Sequence, residues 1–219
     1  MIFFGSDRFD NAGDSQLGFW FFQNKIQTTN ISSGGGFQFS GHHKNGDLLI
    51  ISSFSNGGTT STIKAYFWDT TCTKAASGSE DSVPVGGCPA VNLRLQGKST
   101  AANCATSAAT AAFCGEVNPT DGTTSPWAFH DKTNHTAFQQ GEFYEAGVNL
   151  SKLGIGTECF SSSLAESRSS DSTSAVLKDF VLSNFGNCTT GSGTTPQKLN
   201  ADGTTYSNIT SDLSIGTAA

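Results

Sequence analysis

The stretch that decides the fold is Leu17-Gly-Phe-Trp-Phe-Phe-Gln23, the densest apolar segment of the chain. Its apolar residues occupy odd and even positions alike, so a strand here would present apolar side chains to both faces of a sheet. That pattern is typical of a central strand covered from both sides. We therefore expect a β-sheet built around this segment, with packing on each of its faces.

Further short runs of β-branched and aromatic residues, separated by turns rich in Asn, Gly and Ser, predict more strands. One of them, Ser61–Asp69, alternates: Ile63 and Ala65 fall on one face and Lys64 on the other. All predicted strands are Ile2–Phe4, Leu17–Gln23, Phe37–Ser40, Asp47–Phe54, Ser61–Asp69, Val91–Leu95, Glu142–Leu150, Phe160–Ser167 and Ala175–Leu182. The sequence thus predicts an all-β protein.

An Asn-Gly pair at Asn45-Gly46 is the strongest local hairpin signal in the chain. It lies between the predicted strands Phe37–Ser40 and Leu48–Ile51. We therefore expect these two strands to form an antiparallel hairpin. His42 and His43, beside this turn, are expected to be surface histidines, since the spacing identifies no set of zinc ligands around them.

Composition excludes several classes of function. Charged residues make up 14% of the 219 residues, well under the ~25% of ordinary soluble domains. The net charge is −6, which argues against nucleic acid or an anionic membrane as a partner, because either requires a basic patch. No stretch approaches the ~20 apolar residues of a membrane span. A mildly acidic domain that neither enters membranes nor binds nucleic acid is expected.

Six cysteines have spacings that suit disulfides better than zinc or a redox motif, since none forms a C-x-x-C. An even count in Ser/Gly/Ala-rich loops favours an oxidising compartment, the alternative being six buried thiols. Of the fifteen connectivities that six cysteines allow, nearest-neighbour pairing is preferred. The predicted bridges are Cys72–Cys88, Cys104–Cys114 and Cys159–Cys188. Between two of these, Ala101–Phe113 is Ala-rich enough for a helical turn, but its flanking cysteines favour a stapled loop.

The two ends of the chain predict a piece of a larger exported protein. Met1 runs directly into Ile2-Phe3-Phe4 without the features of a signal peptide, so we expect that strands before Ile2 are missing. Residues 1–188 are predicted to form one domain, and 189–197 have the composition of a linker. Residues 198–219 then resemble the start of a further β-module or a disordered tail.

Three stretches together resemble an uncharacterised β-sandwich domain of large secreted or wall-associated bacterial proteins, found ahead of immunoglobulin-like or prealbumin-like repeats. They are Phe4-Gly-Ser-Asp-Arg-Phe-Asp-Asn-Ala-Gly-Asp-Ser-Gln-Leu-Gly-Phe-Trp-Phe-Phe-Gln23, Phe39-Ser-Gly-His-His-Lys-Asn-Gly-Asp-Leu-Leu-Ile50 with Phe54-Ser-Asn-Gly-Gly58, and Leu164-Ala-Glu-Ser-Arg-Ser-Ser170 with Leu177-Lys-Asp-Phe180. The resemblance spans about residues 2–188. It implies an antiparallel sandwich of jelly-roll or concanavalin-like type, a surface location and no established enzymatic activity.

A calcium site is one interpretation of the acidic turn that precedes the central strand. Asp7, Asp10, Asn11 and Asp14 supply oxygen ligands within eight residues, and Ca²⁺ takes six to eight such ligands. The spacing is not that of an EF-hand. Because Asp, Asn and Gly are also the ordinary residues of tight turns, a plain turn is the competing interpretation.

Two further groups of residues are candidate sites. Trp127, after a proline in a polar loop, is a candidate ligand-binding residue that could stack on a sugar ring; packing on the sheet is the alternative.

The acidic side chains on predicted strands are Glu142, Glu145, Glu166 and Asp179. A retaining glycosidase needs two carboxyl groups ~5 Å apart, and the spacing favours solvated ion pairs instead. Glu166 and Arg168 share a face, and we expect them to pair with Lys178 or Asp179 on a neighbouring strand.

We therefore expect a non-catalytic structural or adhesive module of a secreted or cell-surface protein, whose partners are other modules of the same protein. A lectin-like carbohydrate-binding domain, with or without calcium, is the alternative. A glycoside hydrolase is more remote, because no paired carboxylates are evident and hence no catalytic residue is assigned.

Overall fold

The computed structural model describes residues 1–30, 37–55, 60–74, 79–99, 103–104 and 111–185. This part of the chain is all-β, as predicted, with one short 3-10 helix at Glu80–Ser82. Its strands are β1 (Ile2–Asp7), β2 (Ser15–Phe22), β3 (Gln27–Asn30), β4 (Phe37–Ser40), β5 (Leu48–Ser55), β6 (Thr60–Trp68), β7 (Leu93–Ser99), β8 (Phe113–Val117), β9 (Thr123–Thr124), β10 (Ala137–Phe138), β11 (Phe143–Val148), β12 (Ser162–Arg168) and β13 (Leu177–Asn184). Across these residues, no helix is long and apolar enough to span a membrane.

Two antiparallel sheets enclose the main core. The larger has the order β13-β12-β2-β5-β6-β7 and the smaller the order β1-β11-β8. Phe19 and Phe21 of β2 face the smaller sheet and meet Phe4 of β1, with ring centroids 4.6 and 5.8 Å apart. The arrangement is a β-sandwich, while the jelly-roll connectivity within that class stays a prediction.

The larger sheet is also apolar on its outer face, as the segment Leu17–Gln23 predicted. A second cluster lies there, formed by Leu49, Ile51, Tyr66, Leu93 and Leu95 with Trp20, Trp68 and Ala90 against it. The alternation in β6 is confirmed as well, because Ile63 and Ala65 lie in the main core and Lys64 on the outer face. Lys64 Nζ lies 2.6 Å from Asp81 and 2.8 Å from Asp171, so it ties two loops to this face.

The outer edge of β7 is covered by the loop that precedes it. Gly86 donates its N–H to the carbonyl of Leu95 at 2.7 Å, and the N–H of Leu95 bonds the carbonyl of Gly87 at 2.9 Å. The predicted disulfide Cys72–Cys88 is present and closes this loop. An edge strand that would otherwise expose backbone donors and acceptors is thus occupied.

The predicted bridge Cys104–Cys114 is present too, at the start of β8. Cys159 is exposed and forms no disulfide with another described cysteine. The predicted partner, Cys188, lies outside the described residues, as do most of Ala101–Phe113, the linker and the C-terminal segment. The third bridge and the domain boundary therefore remain predictions.

The hairpin prediction at Asn45-Gly46 was wrong. β4 pairs with β3, a polar strand that the sequence did not predict, whereas β5 pairs with β2 and β6. Gly46 adopts a positive φ of 93° and donates its N–H to Trp68 O at the end of β6. The turn therefore redirects the chain into the large sheet, where the apolar residues of β5 are buried on both faces.

Candidate functional site

A groove of about 260 Å³ opens on the outer face of the larger sheet. Its lining comes from β2, β12, the start of β13 and the segment around β4. The lining residues are Trp20, Phe22, Ile26, Phe39, Ser40, Gly41, His43, Leu164, Glu166 and Leu177. Aromatic and aliphatic side chains dominate, with a few polar groups among them, which is the usual composition of a ligand-binding pocket.

The aromatic surface of the groove follows from strand periodicity. Trp20 and Phe22 are two residues apart on β2 and hence share a face. Their rings are stacked, with centroids 5.5 Å apart and planes 9° from parallel. Phe39 of β4 joins from the other side, 43% exposed and 5.0 Å from Phe180 of β13. Rings from two strands, β2 and β4, thus line one concavity.

His43 lies half-buried beside these rings, whereas the neighbouring His42 is exposed, as expected of a surface histidine. It stacks on Trp68 at a centroid distance of 3.8 Å and contacts Trp20 at 4.9 Å. Its Nδ1 lies 3.0 Å from the Oδ2 of Asp47, a fully buried carboxylate. Asp47 also accepts the backbone N–H of Gln23 and of Lys44. Because Asp47 engages Nδ1, the other ring nitrogen, Nε2, is the one that a ligand could use.

Glu166 contributes a carboxylate to the groove. The prediction of a solvated pair with Lys178 or Asp179 was wrong, because Glu166 is buried and pairs with Arg168 of its own strand. Its Oε1 accepts a hydrogen bond from Nη1 of Arg168, and both residues are less than a tenth exposed. Arg168 Nη2 donates to the carbonyl of Ser172 at 2.7 Å. Arg168 Nε, also buried, has no hydrogen-bond partner within the described part of the chain. Burial raises the pKa of Glu166, although Arg168 favours the ionised form.

Gly18 makes room for this ion pair. It faces Glu166 across the β2–β12 ladder, and a Cβ added at Gly18 would lie 2.8 Å from Cγ of Glu166 and 3.0 Å from Cδ of Arg168. Any side chain at this position would therefore displace the pair. The glycine within the apolar run of β2 is explained by these two neighbours rather than by its own backbone.

The structure uses the predicted calcium ligands in other interactions. Asp10 bonds Lys132 Nζ at 2.7 Å and the N–H of Ala12 at 2.9 Å, and the amide of Asn11 donates to Gln140 O. Asp7 and Asp14 lie at the end of β1 and just before β2. Within the described residues, no group of three or more His, Cys, Asp or Glu side chains is placed to hold a metal ion.

The other predicted residues lie away from the groove lining. Trp127 is half-buried and packs edge-on against Phe138 and Phe143, with centroids 6.0 and 5.8 Å away. Glu142 is buried and accepts the N–H of Gln139, whereas Glu145 is exposed on β11 of the smaller sheet. Asp179 is exposed on β13. Glu166 alone of the predicted acidic set lines the groove.

The sequence patterns singled out none of Trp20, Phe39 and His43 as ligand contacts. One usable signal was present: an apolar strand with aromatics on both faces predicts a second covered surface. The segment around β4 lies over part of that surface. Its pairing with β3 could not be predicted, because the polar sequence of β3 has no apolar alternation.

Comparison with known proteins provides no relative: no family model matches the chain, and neither a curated protein nor a solved structure is significantly similar to it. The resemblance to modules of bacterial surface proteins therefore stays a prediction.

Proposed function

We propose that this chain is a non-catalytic adhesive module of a secreted or cell-surface protein, and that it binds carbohydrate in the aromatic groove. The observation that carries the proposal is the convergence of Trp20, Phe22, Phe39 and His43 on one concavity beside the Glu166 carboxylate. Aromatic faces provide a platform for the apolar face of a pyranose ring. A few fixed polar groups then orient the hydroxyls.

An extracellular setting is supported by the two disulfides, which form and persist in oxidising compartments. The low content of charged residues and the net charge of −6 fit a display module better than a binder of nucleic acid. In this proposal the other partners are neighbouring modules of the same surface protein.

The single acidic residue of the groove supports a binding role over hydrolysis. Glycosidases use two carboxyl groups, about 5–5.5 Å apart in retaining enzymes and about 6.5–9.5 Å apart in inverting ones. Among the lining residues only Glu166 carries a carboxylate, and Arg168 is already bonded to it. We therefore expect binding of a polysaccharide panel without release of reducing ends.

A glycan array probed with the folded protein tests the proposal. Binding should weaken by roughly tenfold or more in Trp20→Ala and in Phe39→Ala, because buried aromatics dominate recognition. Phe39 is 43% exposed, so its replacement should leave the fold intact. Phe9→Ala, exposed and away from the groove, is the matched control. Loss in Trp127→Ala with Trp20→Ala unaffected would move the site to Trp127, and an array without hits would leave only a structural role.

Whether glycan binding depends on calcium is tested separately. The loop of residues 7–14 contributes nothing to the groove lining. Glycan binding should consequently be equal in calcium and in chelator. A requirement for calcium would show that the acidic loop, or another ion site, shapes the binding surface.

A further inference from the structure

We propose that the groove holds one neutral sugar ring at the end of a glycan, and that the Glu166–Arg168 pair selects it by its hydroxyl groups. This inference rests on the proposed function and names the ligand class of the same site.

The size of the groove limits the ligand. Pockets for drug-sized molecules measure about 300–1,000 Å³, and this groove measures about 260 Å³. Its lining is a compact set from β2, β12, β13 and the β4 segment. The rings that adjoin it, Trp68 against His43 and Phe180 against Phe39, lie outside that lining. One ring therefore fits inside, and the remainder of an oligosaccharide would extend into solvent.

The charges favour a neutral ring. Apart from the imidazole of His43, Glu166 is the ionisable side chain among the described lining residues. A uronic or sialic acid finds no Lys or Arg among the lining residues, so its carboxylate would lose hydration without gaining a counter-charge. A cationic amino sugar would gain little, because Arg168 already compensates the charge of Glu166.

The ion pair retains hydrogen-bonding capacity that hydroxyl groups can use. The carboxylate of Glu166 has two oxygens, and Arg168 bonds Oε1. Arg168 is not a lining residue and its Nε is buried, so Arg168 positions the carboxylate and does not itself contact the ligand. The oxygen that Arg168 does not bond, Oε2 of Glu166, can accept hydrogen bonds from ligand hydroxyls. Trp20 lies opposite Leu164, two pairs along the ladder from Glu166 and therefore on the same face, and it provides the adjoining ring surface.

Saturation-transfer NMR titrations of the whole chain with methyl glycosides test the inference. The probes are methyl glycosides of glucose, galactose, mannose and N-acetylglucosamine, their monodeoxy analogues, the matching uronic acids, and trisaccharides that end in the best ring. We expect at least one neutral glycoside to bind, the trisaccharide to bind within roughly threefold of it, and the uronic acid to bind roughly tenfold or more weakly. At least one deoxy analogue should lose a similar factor, as expected for a hydrogen bond to a charged group.

Glu166→Gln should weaken the best glycoside by roughly tenfold, and Glu116→Gln, an exposed carboxylate on β8, should not change it. Should Glu166→Gln fail to fold, the deoxy series on the native protein decides alone. Equal binding of all deoxy analogues, or unchanged binding by folded Glu166→Gln, would overturn the inference, as would tenfold tighter binding of the trisaccharide. The proposed function would survive those results if Trp20→Ala still lost binding; it fails, and this inference with it, if no glycan binds the native protein.

Discussion

A hydrogen bond inside the sandwich gives the sharpest test of how the two sheets are joined. Tyr144 of β11, in the smaller sheet, lies with its hydroxyl 2.7 Å from Oγ of Ser52 on β5 of the larger sheet. Both residues are almost fully buried, at 3% and 0% exposure. Burial raises the pKa of Tyr144, so the hydroxyl stays protonated at neutral pH. Each hydroxyl is therefore the hydrogen-bond partner that keeps the other satisfied.

Replacing one partner leaves the other buried and unpaired. We expect Tyr144→Phe and Ser52→Ala each to lower the free energy of unfolding by about 1–3 kcal/mol. For a domain of this size, about 2–4 °C is lost per kcal/mol, so the melting temperature should fall by roughly 2–12 °C. In the double variant no polar group is stranded, and the total loss should be smaller than the sum of the two by about 0.5–3 kcal/mol.

Urea unfolding followed by circular dichroism measures all four proteins of this cycle. Ser53→Ala, on the opposite face of β5, is the matched control and should stay within about 0.5 kcal/mol of the native protein. Single losses that simply add in the double variant would refute the reasoning, because they would show that the two hydroxyls do not depend on each other.

Four further outcomes are expected. Gly18→Ala should lower the free energy of unfolding by about 1–3 kcal/mol, because its methyl group overpacks against the Glu166–Arg168 ion pair. It should also weaken binding of the methyl glycosides in the NMR titration, and an unchanged melting temperature would contradict the close packing. Replacing Cys72 and Cys88 together by serine should lower stability by about 3 kcal/mol in the chain-entropy model, measured by urea unfolding. The hydrogen bond to Asp131 raises the pKa of His135 above that of the unfolded chain, so its stabilisation is complete below about pH 6.5 and is lost as pH rises through the folded pKa. In melting curves recorded across pH, His135→Gln should therefore remove the decline in melting temperature that this group causes above about pH 6.5. If the loop of residues 7–14 does hold calcium, ion at 100 times its dissociation constant should add about 2.7 kcal/mol, and coinciding melting curves in calcium and chelator would identify a plain turn.

Hydrophobic periodicity predicted the strands that have one or both faces buried. β2 and β6 carry clear patterns because their faces meet either the core or the second cluster, and both were predicted correctly. β3 escaped prediction because Gln-Thr-Thr-Asn has neither apolar alternation nor burial to enforce one. The Asn45-Gly46 signal failed for a different reason: a local turn preference cannot specify which strand becomes the partner.

The groove was less predictable than the sheets that support it. Glu166 and Arg168 were placed correctly on one face of β12, yet their burial depends on Gly18 in another strand and on the turn at Ser172. From its position beside Asn45-Gly46, His43 was expected only to be part of a turn. Its stacking on Trp68 and its bond to the buried Asp47 form because the ends of β5 and β6 meet in the folded sheet. Such long-range contacts leave no spacing signal in a single sequence.

Because the loop that pairs with β7 is held by a disulfide, self-association of the chain should depend on the redox state of its surroundings. While Cys72–Cys88 is intact, Gly86 and Gly87 occupy the hydrogen-bonding edge of the strand at Leu95. In a reducing cytosol the loop would lose that restraint, and the bared edge would lie next to the apolar residues of the second cluster. Exposed edges of this kind recruit strands from other copies of the same chain. Recombinant material made in the cytosol should consequently aggregate, whereas material folded in the periplasm or another oxidising compartment should remain dispersed.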